Sequence, residues 1–265
     1  MASNHEKVVG FYSGIKEDDR ASKSRAETLE FHYTKKVLSE FIHKDANVIE
    51  IGCATGYYGM HFCDFCAHYT GIDLSADNIA VFNKKIAAAG KENISTAIGD
   101  ATNLSGIPDH AFDVVLCLGP MYHLPREERS KVFDECCRIA RADGILAFSY
   151  INRLGVYAAA CLDDKWRDEY APVEPDKFIL EENTLESLQG VFFFSSAEEM
   201  HHDAKKKNLD VVKSCGLDYL WAQSAINRMS EEAFSLYMKL ADRMVESPSC
   251  AGLSDHALLI CRKQA

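Results

Sequence analysis

The residues best placed to do chemistry begin at 48–56, VIEIGCATG, where an apolar run meets a glycine-containing turn and then a helix-forming segment. Open α/β sheets bind their ligands at such junctions. The dinucleotide fingerprint G-x-G-x-x-G would need glycine at 52, 54 and 57. Gly52, Ala54 and Tyr57 stand there instead, and glycine returns at 56. Glu50 lies two residues before Gly52, where a carboxylate repels a pyrophosphate and suits a cation. The plainer alternative is an ordinary tight turn with Glu50 as a solvated acid.

Two further acids narrow the choice. Asp73, in GIDLS, ends the next apolar run and can accept from both hydroxyls of a ribose, as the acid does in nucleotide-binding sheets. Asp100, in Gly99-Asp100-Ala101, can accept from an adenine amino group. Leu118-Gly119-Pro120 follows a fourth apolar run and offers backbone to a further part of the ligand. S-adenosylmethionine fits this order, since it carries an ammonium, a sulfonium, a ribose and an adenine but no phosphate.

The elements that must hold these residues can be read from periodicity. A helix is predicted over 23–43, with Val37, Leu38, Phe41 and Ile42 on one face. Strands are predicted at 47–51, 68–74, 94–98, 112–118 and 145–151; FDVVLCL is the continuous apolar kind buried on both faces of a parallel sheet. Ser75 is expected to cap a helix that Gly90 stops, with Ile79, Phe82 and Ile86 on its inner face. A helix over 125–142 is expected to close at Gly144. After an irregular stretch at 152–205, dotted with Tyr157, Trp166, Tyr170, Phe178 and Phe192–Phe194, the alternation resumes. A helix near 206–215, a strand at 217–223, a helix at 230–245 and a strand at 256–262 complete it. The pattern is that of an α/β, doubly wound sheet.

Through VIEIGCATG, GIDLS, IGDA and FDVVLCLGPMYHL the chain resembles the class I S-adenosylmethionine-dependent methyltransferases. The nearest likeness is to the small-molecule type with a GPMYHL segment, Gly119 to Leu124, after the fourth strand. The resemblance implies a mainly parallel seven-stranded Rossmann-like sheet with an inserted lid, its last strand antiparallel. It also implies a cofactor site of Glu50, Gly52, Cys53, Gly56, Asp73, Leu74, Asp100, Ala101 and the Leu118 carbonyl. Ala54 departs from the glycine usual in that family; its methyl tightens the turn without abolishing binding. By the same likeness, residues 1–45 form a helical segment covering the cofactor, through Phe11-Tyr12 and Glu30 to Thr34. Residues 46–151 form the cofactor-binding core, 152–205 a lid for the acceptor, and 206–265 the rest of the sheet.

Methyl transfer from a sulfonium is an in-line displacement, so the protein supplies alignment, dryness and, for a protonated acceptor, a base. His123 and Tyr122 are the catalytic candidates. An imidazole with an ordinary pKa of about 6.5 suits proton transfer near neutrality, although His123 could instead cap the helix at Pro125. Tyr12, Tyr33, Tyr122 and Tyr157 are the expected acceptor-pocket residues. Enzymes that methylate planar amide or adenine nitrogens carry Asn/Asp-Pro-Pro-Tyr after the fourth strand; Leu118-Gly119-Pro120-Met121-Tyr122 lacks the polar first residue. The CxxC at Cys63 and Cys66, flanked by His61 and His68, has no second pair to complete a zinc site, and the cysteines are read as core residues. Cys136-Cys137 and His201-His202 are read as packing and surface pairs, and no metal is expected.

Composition sets the outer bounds. The 265 residues carry 29 Lys and Arg against 40 Asp and Glu, a net charge of −11, which disfavours nucleic acid. Residues 151–205 hold twelve acids and five bases, so much of that charge belongs to the expected lid. Lys205–Lys207 reads as a solvated helix face. The ten cysteines are expected as free thiols in a reducing compartment. The N-terminal stretch lacks an apolar signal core and no run is long enough to span a bilayer, so a cytoplasmic monomer or homodimer with no membrane partner is expected. The function expected is methyl transfer to an O, N or S atom of a small molecule. The alternatives are a tRNA or protein methyltransferase, or a non-catalytic S-adenosylmethionine-binding partner or sensor.

Overall fold

The computed structural model describes residues 4–12, 23–162, 164, 167, 168 and 191–264. Strand alternation explains its layers. In β1 (Asn47–Ile51) and β4 (Phe112–Cys117), Val48, Val114 and Leu116 point into one apolar cluster, while Ile49, Ile51, Val115 and Cys117 point into another. A strand apolar on both faces must be covered on both. One face is covered by α2 (Arg25–Leu38), through Leu29, Tyr33 and Val37, and by α9 (Glu231–Glu246), through Ala241 and Val245. The other is covered by α5 (Arg126–Ile139), through Val132, Phe133 and Cys136, and by α7 (Ala197–Lys206), through Met200 and Ala204.

The seven strands run in the order β3-β2-β1-β4-β5-β7-β6. Here β2 is His68–Asp73, β3 Ile94–Ile98, β5 Ala140–Ile151, β6 Leu209–Gly216 and β7 His256–Lys263. The first five pair in parallel, and β7 lies antiparallel to both β5 and β6. This is the doubly wound sheet the sequence predicts, with its order reversing between β1 and β4, where such sheets open a crevice. α3 (Tyr57–Phe62) follows β1 and α4 (Ala76–Ala89) follows β2; α1 (Asn4–Tyr12) and α6 (Arg153–Leu162) flank the crevice end. Ser75 caps α4 by accepting from the Asn78 N–H, and Gly90 ends it at φ 60°.

Three elements differ in their bounds from expectation. The 125–142 helix stops at Ile139, and Gly144 lies inside β5 beside a break in register opposite Phe112 and Val114. The helix expected at 206–215 is α7, which starts at Ala197, and the strand expected at 217–223 is β6, which starts at Leu209. Ser196 and Glu199 form a reciprocal capping box that starts α7, and Asn208, at φ 55°, turns the chain into β6. Residues 217–222 are a turn leading through α8 (Gln223–Arg228) to α9. Trp166, Tyr170 and Phe178 lie outside the described residues. Cys63 and Cys66 are buried free thiols in the cluster beneath α2, and no disulfide occurs among the described residues. No described helix is long and apolar enough to cross a membrane.

Candidate active site

The turn after β1 is built around three residues in the left-handed region. Gly52 has φ 80°, and a Cβ there would stand 2.7 Å from Cδ of Pro120. Gly56 has φ 83° and lies against the Phe82 ring, with no room for a side chain. Ala54 between them has φ 44°, which explains why glycine is usual there: an L-residue pays about 1–2 kcal/mol in that region. The turn is held by the N–H groups of Gly52 and Cys53, both donating to the Ile72 carbonyl at 2.7 and 2.9 Å. The Ala54 N–H donates to Asp73 Oδ2 at 2.8 Å.

Around this turn lie the predicted acids. Asp73, at the end of β2, is nearly buried; its Oδ1 accepts from the Ser75 N–H at 2.8 Å and the Asn78 amide at 3.2 Å. Glu50 is buried and accepts from the Tyr69 hydroxyl at 2.7 Å. Burial pushes its carboxyl up to about 8, against the pull of the Tyr69 hydrogen bond and with help from the Asp73 charge. Burial also raises the Cys53 thiol far above its ordinary value. Asp100, just past β3, accepts from the Thr102 N–H and hydroxyl, each at 2.8 Å, and its other oxygen lies 3.4 Å from His5 Nε2. One cleft touches Glu50, Gly52, Cys53, Asp73, Leu74, Asp100, Ala101 and Leu118, so eight of the nine expected cofactor residues meet on it. Gly56 stands behind the turn rather than on the cleft wall.

The same cleft continues past β4. His123 is buried there, with a carbonyl on one side: Nδ1 lies 2.7 Å from the Val191 oxygen, which can only accept. In the neutral ring the proton therefore sits on Nδ1, and Nε2 is left as an acceptor for the Tyr12 hydroxyl at 2.8 Å. Tyr122 packs edge-on against the His123 ring, with centroids 4.6 Å apart. His123 does not cap α5; Pro125 holds the N-cap position with no side-chain bond.

Tyr12 comes from α1, whose His5, Val8, Val9 and Tyr12 all line the cleft. That i, i+3, i+4, i+7 stripe is legible in the sequence, and Tyr12 is its one member expected in the pocket. Two pocket expectations are corrected. Tyr33 is not on the cleft: its hydroxyl donates to the Met238 carbonyl and Asp242 on α9, because α2 turns Glu30, Phe31 and Thr34 to the cleft instead. Tyr157 is likewise not on the cleft wall and packs against the cluster of Tyr122, Ile151 and Val156.

A group absent from the sequence reading stands beside Glu30. His256, the first residue of β7, is gripped by Asp218, which accepts from its N–H at 2.8 Å and from Nδ1 at 2.7 Å. Glu30 Oε2 lies 3.8 Å from the same Nδ1. Among the described residues this is the group of three carboxylate and imidazole side chains whose ligand atoms all lie within 4.8 Å of one another.

Residues 48–144 match the family model described as a methyltransferase domain. A ubiquinone biosynthesis O-methyltransferase from Actinobacillus pleuropneumoniae is 27% identical over 131 residues, 46% of this chain and 55% of the relative. Ajmaline N-methyltransferase from Rauvolfia serpentina is 29% identical over 113 residues, 42% of this chain and 38% of that enzyme. The chain thus spans about half, or less, of the length of these curated relatives. The crystal structure of N-methyltransferase NodS from Bradyrhizobium japonicum, in complex with S-adenosylhomocysteine, aligns over 99% of this chain and all of that one, with a TM-score of 0.61 and 16% identity. Residues 48–144 are thus similar to methyltransferase domains, and the strand order gives the whole chain the Rossmann-like fold that it shares with NodS.

Proposed function

We propose that the chain is an S-adenosylmethionine-dependent methyltransferase acting on a small molecule. The observation that carries this reading is the succession of Glu50, Asp73 and Asp100 at the ends of β1, β2 and β3, around a turn that has no side chain at Gly52. The donor set suits the cofactor. Four carboxylate side chains, Glu30, Glu50, Asp73 and Asp100, and exposed backbone face the cleft, and no Lys or Arg lines it among the described residues, which fits a cationic ligand without phosphate. The O- and N-methyltransferases among the relatives agree with the reaction class and leave the acceptor atom open.

When bound, S-adenosylmethionine supplies an electrophilic methyl group, whose carbon–sulfur bond breaks as the acceptor's lone pair forms the new bond. Asp73 would hold the ribose, Asp100 and Ala101 the adenine, and Glu50 with the Leu118 carbonyl the cationic methionine end. His123 takes the acceptor's proton on Nε2, directly or through the Tyr12 hydroxyl that donates to it. The Val191 carbonyl fixes the ring's tautomer, so the accepting nitrogen always faces Tyr12. Tyr122 and α1 limit water around the reacting atoms.

The test is calorimetry with S-adenosylmethionine and S-adenosylhomocysteine, followed by transfer of labelled methyl to a panel of amines, thiols, phenols and carboxylates. Saturable cofactor binding with transfer to one class supports the reading; no binding of either cofactor form overturns it.

A further inference from the structure

The carbonyl that holds His123 comes from a distant part of the chain, and two buried arginines hold that part in place. Residues 191–195 bond at alternate positions to the turn after β4 and to the end of β5. The Val191 oxygen lies 2.7 Å from His123 Nδ1. The Phe193 N–H donates to the Tyr122 carbonyl at 2.8 Å, and the Ser195 N–H to the Ile151 carbonyl at 2.9 Å. The Phe192 ring, between two of these positions, lies 5.1 Å from the His123 ring between centroids. The segment is a strap with the two-residue period of a strand. A slip of one residue would turn the Val191 carbonyl away from the imidazole.

Two guanidinium groups fix that register from the far end of the strap. Arg129, on α5, donates to the Ser195 hydroxyl. Arg153, the first residue of α6, donates through its side chain to the Phe194 carbonyl at 3.3 Å and to the two Glu199 oxygens at 3.0 and 2.8 Å. Its backbone N–H donates to the Ser195 carbonyl at 2.9 Å. Both arginines are buried, and Nε of each has no hydrogen-bond partner among the described residues. Burial pulls the Arg129 guanidinium below its ordinary value, against the attraction of Glu199 and Asp203. Apolar packing would hold a strap at lower cost, because removing charges from water offsets most of what their pairing returns. Directional bonds to one hydroxyl and one carbonyl supply what apolar contacts lack, a single register.

We infer that Arg129 and Arg153 are positioning residues for His123, acting through the strap at 191–195. The inference rests on the reading of His123 as the base and adds what aligns it. Nitrogen NMR of the histidine side chains tests it, in protein loaded with S-adenosylhomocysteine and well above the ordinary imidazole pKa of about 6.5. The His123 signal is the one lost in His123→Gln. The wild-type ring should carry its proton on Nδ1. Arg129→Met and Arg153→Met should each give a mixture of both tautomers with cofactor affinity unchanged. Arg129→Lys and Arg153→Lys, which keep the charge but lose the planar fork, should give a smaller mixture. With the acceptor found by the labelled-methyl panel, kcat of the methionine variants should fall roughly 10- to 100-fold at nearly constant KM, as about 1 Å of misplacement would cause.

A wild-type tautomer in both methionine variants overturns the inference; if these fail to fold, a wild-type tautomer in both lysine variants does so. An equal loss of kcat and cofactor affinity also overturns it, by making the arginines structural only. A tautomer shift with kcat unchanged upholds the positioning and removes His123 as the base. Failure of the wild-type protein to load S-adenosylhomocysteine counts against the methyltransferase reading, and the spectra of the unloaded proteins then decide the positioning by the same comparison.

Discussion

The two halves of the cleft are built in opposite ways. On the β1–β3 side, the ligand-facing groups come from one stretch, Glu50 to Ala101, and are held by backbone bonds such as Ala54 N–H to Asp73 and Ser75 N–H to Asp73. On the β4–β7 side, the groups arrive from distant parts of the chain: Tyr12 from α1, Glu30 from α2, His123 after β4 and Leu217 after β6. They are joined by side-chain contacts, such as Tyr12 to His123 across 111 positions. A scaffold of the first kind suits a ligand that never changes. One of the second kind can be rebuilt for a new acceptor without disturbing the sheet.

That contrast can be broken by substitution. His123→Ala should lower turnover by roughly 100- to 10,000-fold, the range for a positioned acid or base, while leaving S-adenosylhomocysteine affinity nearly intact. Equal losses of both, measured by steady-state kinetics and calorimetry, would make the halves one unit. Asp73→Ala should do the reverse and weaken cofactor binding by about 1–3 kcal/mol, since polar groups lose their partner. Unchanged calorimetric affinity would remove Asp73 from the site.

Glu50 adds a pH dependence. Its carboxyl titrates near 8 in the free protein, and a bound cation favours the charged form, so binding releases a proton below that pH. Affinity for S-adenosylmethionine should therefore rise with pH by up to about tenfold per unit and level off near 8. Glu50→Gln should flatten the profile. The same raised value means the folded chain holds a proton that the unfolded chain has lost between about 4.5 and 8. Stability of the ligand-free protein should fall as pH rises through that window. The smallest effect concerns Ala54. Ala54→Gly should raise thermal stability by about 1 kcal/mol, relief of left-handed strain partly offset by a more flexible unfolded chain; a lower melting temperature would show that the methyl packs usefully.

How much was legible follows the same division. The β1 turn, Asp73 and Asp100 could be read because strand, turn and acid succeed one another locally, and the apolar code of FDVVLCL fixes a central strand. The β6 segment lies earlier than expected because Ser196 and Glu199 form a capping box, a strong local start signal that sets the preceding helix at Ala197. On α2 the expectation of Tyr33 in the acceptor pocket fails for a different reason. Both faces of that helix are covered, and which one looks into the cleft depends on α9, which packs from more than 190 positions away through Met238 and Asp242. Aromatic type alone carries no such information.

The bare backbone at Gly52 has a mechanical consequence. Because Pro120 presses against the space where a Cβ would be, the β1 turn and the Pro120–Tyr122 turn share one contact surface, and His123 comes next in the chain. A methyl added at position 52 would act as a wedge, driving the loop outward and tilting the imidazole away from Tyr12. Catalytic alignment is thus tethered to a residue that meets neither proton nor acceptor, and variation there would register as misfiring rather than as failed capture.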